Sequence, residues 1–116
     1  MNTAKVLINI ATVHFLLKNV PEALKYYNHS IEVLNLISQT NAYAEHSTLL
    51  PLLAELGKVH MSLGSLYKQL GERPACSRNL ETAVVKLEAF CDEMEEIDAQ
   101  IQKKHRPKHM TYAFYI

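Results

Sequence analysis

Leu63-Gly64-Ser65-Leu66-Tyr67 lies inside the most regular hydrophobic pattern of this 116-residue sequence. Large residues on both sides of it alternate steps of three and four positions, a spacing that places side chains on one face of an α-helix. One such row contains Leu49, Leu53, Leu56, His60, Leu63, Tyr67 and Leu70. An adjoining row contains Leu52, Leu56, Val59, Leu63, Leu66 and Leu70. Two adjoining rows predict a helix that has packing neighbours on two sides.

The ends of this helix are marked by residues with known positional preferences. Ser47 or Thr48 can cap its first turn, and Pro51 is tolerated because it lies so early. Gly71 supplies the left-handed residue that commonly closes a helix, and Pro74 suits the first turn of a new one. Because the turn between them is very short, we expect the next helix to return antiparallel.

The returning helix is predicted from Pro74 to about Lys104, and Pro107 ends it. Its apolar row has the same alternation of steps and contains Leu80, Ala83, Leu87, Phe90, Met94, Ile97 and Ile101. Since the two rows match in period, they predict a long coiled-coil-like seam between these two helices.

The first half of the chain carries two further helical patterns. The first is predicted from about Thr3 to Lys18, and its row contains Val6, Ile10, Val13 and Leu17. The second opens at Pro21, and its row contains Leu24, Tyr27, Ile31 and Leu34. The fold class predicted from these patterns is all-α, with four main helices in two helix-turn-helix hairpins and a long C-terminal helix.

The two hairpins share one order of residue types at identical spacings. The first contains Ile10, Ala11, His14 and Lys18, followed by Ala23, Tyr27 and Ser30. The second contains Leu63, Gly64, Tyr67 and Gly71, followed by Cys76, Leu80 and Ala83. The small residues in each set let the two helices of a hairpin approach closely, and the larger neighbours fill the space between them.

This order resembles the tetratricopeptide repeat, a helix-turn-helix unit of about 34 residues with the signature W-x2-L-G-x2-Y followed by A-x3-F. Leu7 and His60 stand at the tryptophan position, and Ala23 and Cys76 lie 53 residues apart, so the repeats are elongated. The resemblance implies one domain over residues 1–116, with stacked repeats at about 3–40 and 47–105 and a tail at 106–116. Two repeats leave an apolar face open, for which the long last helix, the aromatic tail or a second copy are the candidate covers.

The resemblance also implies a function. Members of this family bind a peptide or a partner helix along a concave groove lined by the first helix of each repeat. Transferring the groove positions one at a time gives Lys5, Ile8, Thr12, Phe15, Lys58, Met61, Ser65 and Lys68. Chaperone-binding members hold a C-terminal carboxylate with a lysine and an asparagine, and Ile8 and Thr12 stand at those positions here. We therefore expect a non-catalytic scaffold or adaptor that binds another protein, though not a chaperone tail.

Composition and charge exclude several functional classes. Twelve Lys and Arg residues balance twelve Asp and Glu residues, so the chain lacks the basic surplus that nucleic acid binding usually requires. No apolar run approaches the roughly 20 residues that cross a bilayer. Cys76 and Cys91 lie fifteen positions apart on one predicted helix, too far to pair with each other. These features predict a cytoplasmic protein with no nucleic acid partner and no membrane span.

The sequence offers no foothold for catalysis, a metal or another cofactor. It contains no Gly-rich phosphate loop, nucleophile elbow or pair of acids at a catalytic spacing. His14, His29, His46 and His60 are spread over three predicted helices, and Pro107 between His105 and His109 indicates that the last helix has ended, so we expect no metal site. His14 and His60 are expected to pack their ring bodies at the edge of the core. A helical enzyme or small-ligand binder that uses these two histidines is a further hypothesis, which would need a polar pocket in the core.

Two alternatives concern the surface of the second hairpin. Its long seams could build a homo-oligomer, and this is the main alternative to groove binding. The last helix also carries a row of carboxylates, for which a solvated face is favoured over a docking patch for a basic partner. These carboxylates belong to Glu88, Asp92, Glu93, Glu95, Glu96 and Asp98.

Overall fold

A computed structural model describes residues 1–40 and 46–105, and these residues form four α-helices. They are α1 (Asn2–Leu16), α2 (Val20–Thr40), α3 (His46–Gln69) and α4 (Arg73–His105), and no strand occurs within the described ranges. The all-α prediction with a long C-terminal helix is therefore confirmed. The predicted tail at 106–116 lies outside the described residues.

The turn that closes the first hairpin has the same hydrogen bonds as the turn that closes the second. In the first, the Asn19 amide donates to the His14 carbonyl at 2.8 Å, and the Lys18 amide donates to the Phe15 carbonyl at 3.0 Å. In the second, the Glu72 amide donates to Tyr67 at 2.9 Å, and the Gly71 amide donates to Lys68 at 3.1 Å. Both pairs form the Schellman arrangement that satisfies the last carbonyls of a helix.

The second hairpin packs closely because two glycines of α3 face two leucines of α4. A Cβ atom placed on Gly57 would lie 2.6 Å from Leu87 Cδ2, and one placed on Gly64 would lie 2.6 Å from Leu80 Cδ2. Gly57 faces Leu87, whereas Gly64, which comes later in α3, faces Leu80, which comes earlier in α4. The two helices therefore run antiparallel. The sequence analysis identified Gly64 as a residue that permits this approach. It did not identify Gly57, which has the same role seven residues earlier in α3.

The core lies between the hairpins, where α2 packs on α3. The first hairpin contributes four buried residues that belong to the residue order shared by the two hairpins. They are Ala11, Ala23, Tyr27 and Ser30. The second hairpin contributes its predicted seam, including Leu52, Leu56, Val59, Leu63 and Leu66. The seam residues of α3 are therefore largely buried by contacts within the chain.

The packing face of α1 differs from its most regular apolar row. Val6, Val13 and Leu17 are 55%, 54% and 71% exposed, whereas Leu7 and Ala11 are buried. Because α1 is apolar around most of its circumference, the periodicity that identified the helix marked a face that does not pack against α2. The helix was predicted correctly, and an apolar outer face is left without a neighbour among the described residues.

The seam between α3 and α4 covers only part of α4. This helix has 33 residues against 24 in α3, and every side chain from Asp98 to Lys104 is exposed. The molecule consequently measures 59 × 31 × 23 Å along its principal axes. The sequence row that ran on to Ile101 therefore overestimated the length of the paired seam.

Candidate protein-binding groove

A groove lies where α1, α2 and α3 converge. It encloses a cavity of about 270 Å³. The residues that line this cavity are Thr12, Phe15, Leu16, Tyr27, Ser62 and Ser65. Both α1 and α3, the first helices of the two hairpins, contribute lining residues to this cavity.

The floor of the groove combines an aromatic ring with one hydroxyl pair. Tyr27 is only 2% exposed, and its Oη lies 3.0 Å from Thr12 Oγ1. Thr12 Oγ1 donates its hydrogen to the Ile8 carbonyl at 2.9 Å. The Tyr27 hydroxyl therefore donates to Thr12, which satisfies a buried phenol with a side chain from the facing helix.

The eight residues predicted for the groove fall into four groups. Thr12, Phe15 and Ser65 line the cavity together, as a shared site requires. Ile8 is half-buried and packs against the core, so part of its apolar surface serves stability. Met61 is 50% exposed and is not one of the residues that line the cavity. The remaining members are the exposed lysines Lys5, Lys58 and Lys68.

Three residues that line the cavity were missed by sequence reasoning. They are Leu16, Tyr27 and Ser62. Ser62 follows Met61 directly, and because one residue rotates a helix by about 100°, only Ser62 of these two lines the cavity. Tyr27 was identified as a core residue, and its place under Thr12 gives it a second role.

The charged residues among the predicted groove positions are all lysines. The sequence of α1 contains no Asp or Glu, and its one lysine, Lys5, is exposed. On α3, Lys58 Nζ lies 3.8 Å from Glu55 Oε1, an ion pair one turn apart whose lysine is largely exposed. Such an exposed pair holds its lysine weakly, so the ammonium of Lys58 can reorient toward a carboxylate on a partner.

The two histidines that were considered for a ligand pocket make separate structural contacts. His14 stacks on Tyr26 with ring centroids 5.6 Å apart and planes inclined by 8°. His60 Nδ1 lies 2.9 Å from Asn79 Oδ1, across the seam between α3 and α4. Each ring is half-buried, as expected for a histidine at the edge of a core.

Over 1–40 and 46–105, no three His, Cys, Asp or Glu side chains are grouped as a metal site would require. None of the helices, over the part of the chain that the structure describes, combines the length and apolar character of a membrane span. Cys76 and Cys91 are both free thiols.

Comparison of the chain with protein-family models, curated proteins and solved structures found no match.

Proposed function

We propose that this chain is a non-catalytic scaffold or adaptor module that binds a peptide or a helix of another protein in the groove between α1 and α3. The cavity that joins Thr12, Phe15 and Ser65 carries the proposal, because residues transferred from two separate hairpins converge on it. Its volume of about 270 Å³ is close to the lower end of the usual range for ligand pockets, about 300 to 1,000 Å³, and offers room for one or two apolar side chains.

The repeated turn and the repeated small residues support a relationship to the tetratricopeptide repeat. Two hairpins with one turn geometry and one order of residue types are what a duplicated helix-turn-helix unit produces. In this proposal the first helix of each unit lines the groove, and the second helix supports it from behind.

The chemistry of the groove suggests the character of the bound segment. The aromatic floor and Leu16 favour an apolar anchor residue, and the hydroxyls of Ser62 and Ser65 offer hydrogen bonds to its backbone. Lys5, Lys58 and Lys68 favour a segment with one or more carboxylates beside that anchor. The proposed ligand is therefore a short amphipathic stretch that carries acidic residues.

The test uses peptides selected for binding to the full chain from a displayed random library. Ser65→Arg places a large charged side chain in the groove from an exposed position, so the core is not disturbed. The matched control is Asn35→Arg, which adds the same side chain at an exposed site on α2. We expect selected peptides to lose at least about tenfold in affinity on Ser65→Arg, equivalent to roughly 1.4 kcal/mol, and to keep their affinity on Asn35→Arg.

Peptides that bind Ser65→Arg as tightly as the natural chain would place the binding surface elsewhere. Circular dichroism and thermal unfolding of both variants provide the check that the four helices remain intact.

A further inference from the structure

The outer face of α1 consists of Val6, Ile10 and Val13, and Leu17, the residue directly after the helix, continues this row at steps of four, three and four. Val6 and Val13 are more than half exposed, and Leu17 is 71% exposed. Val6, Ile10 and Val13 also line a shallow groove of about 310 Å³ together with Asn9 and His14. A continuous apolar row on a helix surface marks a docking site more often than scattered exposed residues do.

A second apolar row lies on the other hairpin. The flank of α4 consists of Leu80, Val84, Leu87 and Cys91, again at steps of four, three and four. One side of Leu80 and Leu87 contacts the glycines of α3, while Val84 is 53% exposed. Val84, Leu87 and Cys91 line an open groove of about 370 Å³. The spacing of the flank therefore equals that of the outer face of α1.

Charge distinguishes the two surfaces. The first nineteen residues, which include α1, contain Lys5 and Lys18 and no carboxylate. Between residues 81 and 98, α4 carries one lysine and seven carboxylates, and Glu88 and Asp92 border its flank directly. Two α4 flanks placed together would oppose like charges, whereas α1 against α4 sets a segment with two lysines and no carboxylate against an acidic one.

The chain itself shows how such hairpins stack. Within one molecule α2 packs on α3, and Leu34 of α2 shares a core cluster with Leu56 and Val59 of α3. The outer face of α1 and the flank of α4 do not take part in that contact. A second copy placed beside the first would meet it with the same kind of surface, an apolar helix row set against another apolar helix row.

We infer that the occupant of the outer face of α1 is the α4 flank of a second copy of this chain, so that copies associate head to tail. Such a contact is heterologous, because each copy contributes a different surface and keeps one free for a further copy. Association therefore continues beyond a dimer as the concentration rises. This inference does not rest on the proposed peptide groove, since neither surface includes the residues that line that cavity.

The test is analytical ultracentrifugation of two blocked variants, alone and mixed. Val13→Asp places a charge in the outer face of α1, and Val84→Asp does the same in the α4 flank. Both positions are more than half exposed, so the core is untouched. The natural chain is expected to rise above twice the monomer mass of 13.2 kDa as its concentration increases. Each variant alone is expected to remain a monomer.

The equimolar mixture decides the arrangement. In it, Val84→Asp keeps an intact outer face of α1 and Val13→Asp keeps an intact α4 flank. One copy of each variant can therefore pair, and we expect a mass that approaches twice 13.2 kDa and rises no further. Asn35→Asp, which adds the same charge on α2, serves as the control and should associate like the natural chain.

Three results would overturn the inference. A natural chain that stays monomeric at all concentrations removes the contact altogether. A monomeric mixture, or one blocked variant that still dimerises alone, excludes the pairing of α1 with α4. The groove variant Ser65→Arg should associate like the natural chain, and Val13→Asp should still bind the selected peptides, so failure of this inference and failure of the peptide groove are separable.

Discussion

Lys18 and Gly71 occupy the same position of the same turn, with φ angles of 60° and 75°. Each is the left-handed residue of a Schellman turn, and each amide donates to the carbonyl three residues earlier. Glycine adopts this backbone conformation without steric cost, whereas a lysine has a Cβ atom that crowds its carbonyl. The first hairpin therefore stores strain in a turn that the second closes without it.

Lys18→Gly should stabilise the protein. The left-handed conformation costs a non-glycine residue roughly 1 to 2 kcal/mol, and the extra freedom of glycine in the unfolded chain returns about 0.4 to 1 kcal/mol of that. We expect the free energy of unfolding to rise by about 0.5 to 1 kcal/mol. Urea denaturation with an unchanged m-value is the measurement.

Gly71→Lys is the mirror experiment and should lower the free energy of unfolding by a similar amount. No neighbouring atom lies within 4 Å of a Cβ placed at Gly71, so backbone strain is the only expected cost. Equal stability of the natural chain and Lys18→Gly would show that the two turns do not differ in strain.

The hydroxyl pair of Thr12 and Tyr27 should couple α1 to α2 energetically. Tyr27→Phe removes the donor, and Thr12→Val removes its acceptor and leaves a phenol that is almost wholly buried. A net hydrogen bond contributes about 0.5 to 1.5 kcal/mol, so we expect a coupling energy of that order in a double-mutant cycle. Urea denaturation of the two single variants and the double variant measures it. Strictly additive losses would indicate that the 3.0 Å contact contributes nothing to stability.

Local signals in the sequence were enough to predict the helices, the turns and most of the core. Gly71 and Pro74 mark the turn of the second hairpin. Lys18 has the same place in the shared residue order of the first hairpin as Gly71 has in the second, and the hydrogen bonds of the two turns match accordingly. Ala11 and Ala23 were expected at a close contact and are fully buried. Helices and tight turns depend on neighbours within about ten residues along the chain. Hydrophobic periodicity is measured over windows of similar length, so it detects these features.

The arrangement of faces was harder to predict because it depends on distant parts of the chain. Val6 and Val13 have the spacing of a packed row, yet Leu7 and Ala11 face α2 instead. Periodicity identifies an apolar face but does not say which neighbour covers it. Likewise, the predicted groove residues include Met61, whereas its neighbour Ser62 is the one that lines the cavity.

Leu34 and Leu36 offer a matched test of where the core lies. Both are leucines on α2, but Leu34 is fully buried and Leu36 is 59% exposed. Leu34→Ala should lower the free energy of unfolding by about 2 to 5 kcal/mol, because it removes buried methyl groups and leaves a cavity. Leu36→Ala should change it by less than about 0.5 kcal/mol. Urea denaturation compares them, and a similar loss for both would contradict the packing of α2 against α3.

The proton of neutral His60 should reside on Nδ1. Asn79 fixes this choice, because its Nδ2 donates to the Ala75 carbonyl at 2.8 Å and so turns Oδ1 toward the imidazole. Oδ1 can only accept, and His60 Nδ1 lies 2.9 Å from it. Two-bond ¹⁵N–¹H correlation spectra, recorded at a pH where the ring is neutral, distinguish the tautomers. Asn79→Ala should return His60 toward the Nε2–H form that predominates in free histidine. A ring that already carries its proton on Nε2 in the natural chain would mean that the contact across the α3–α4 seam is made differently.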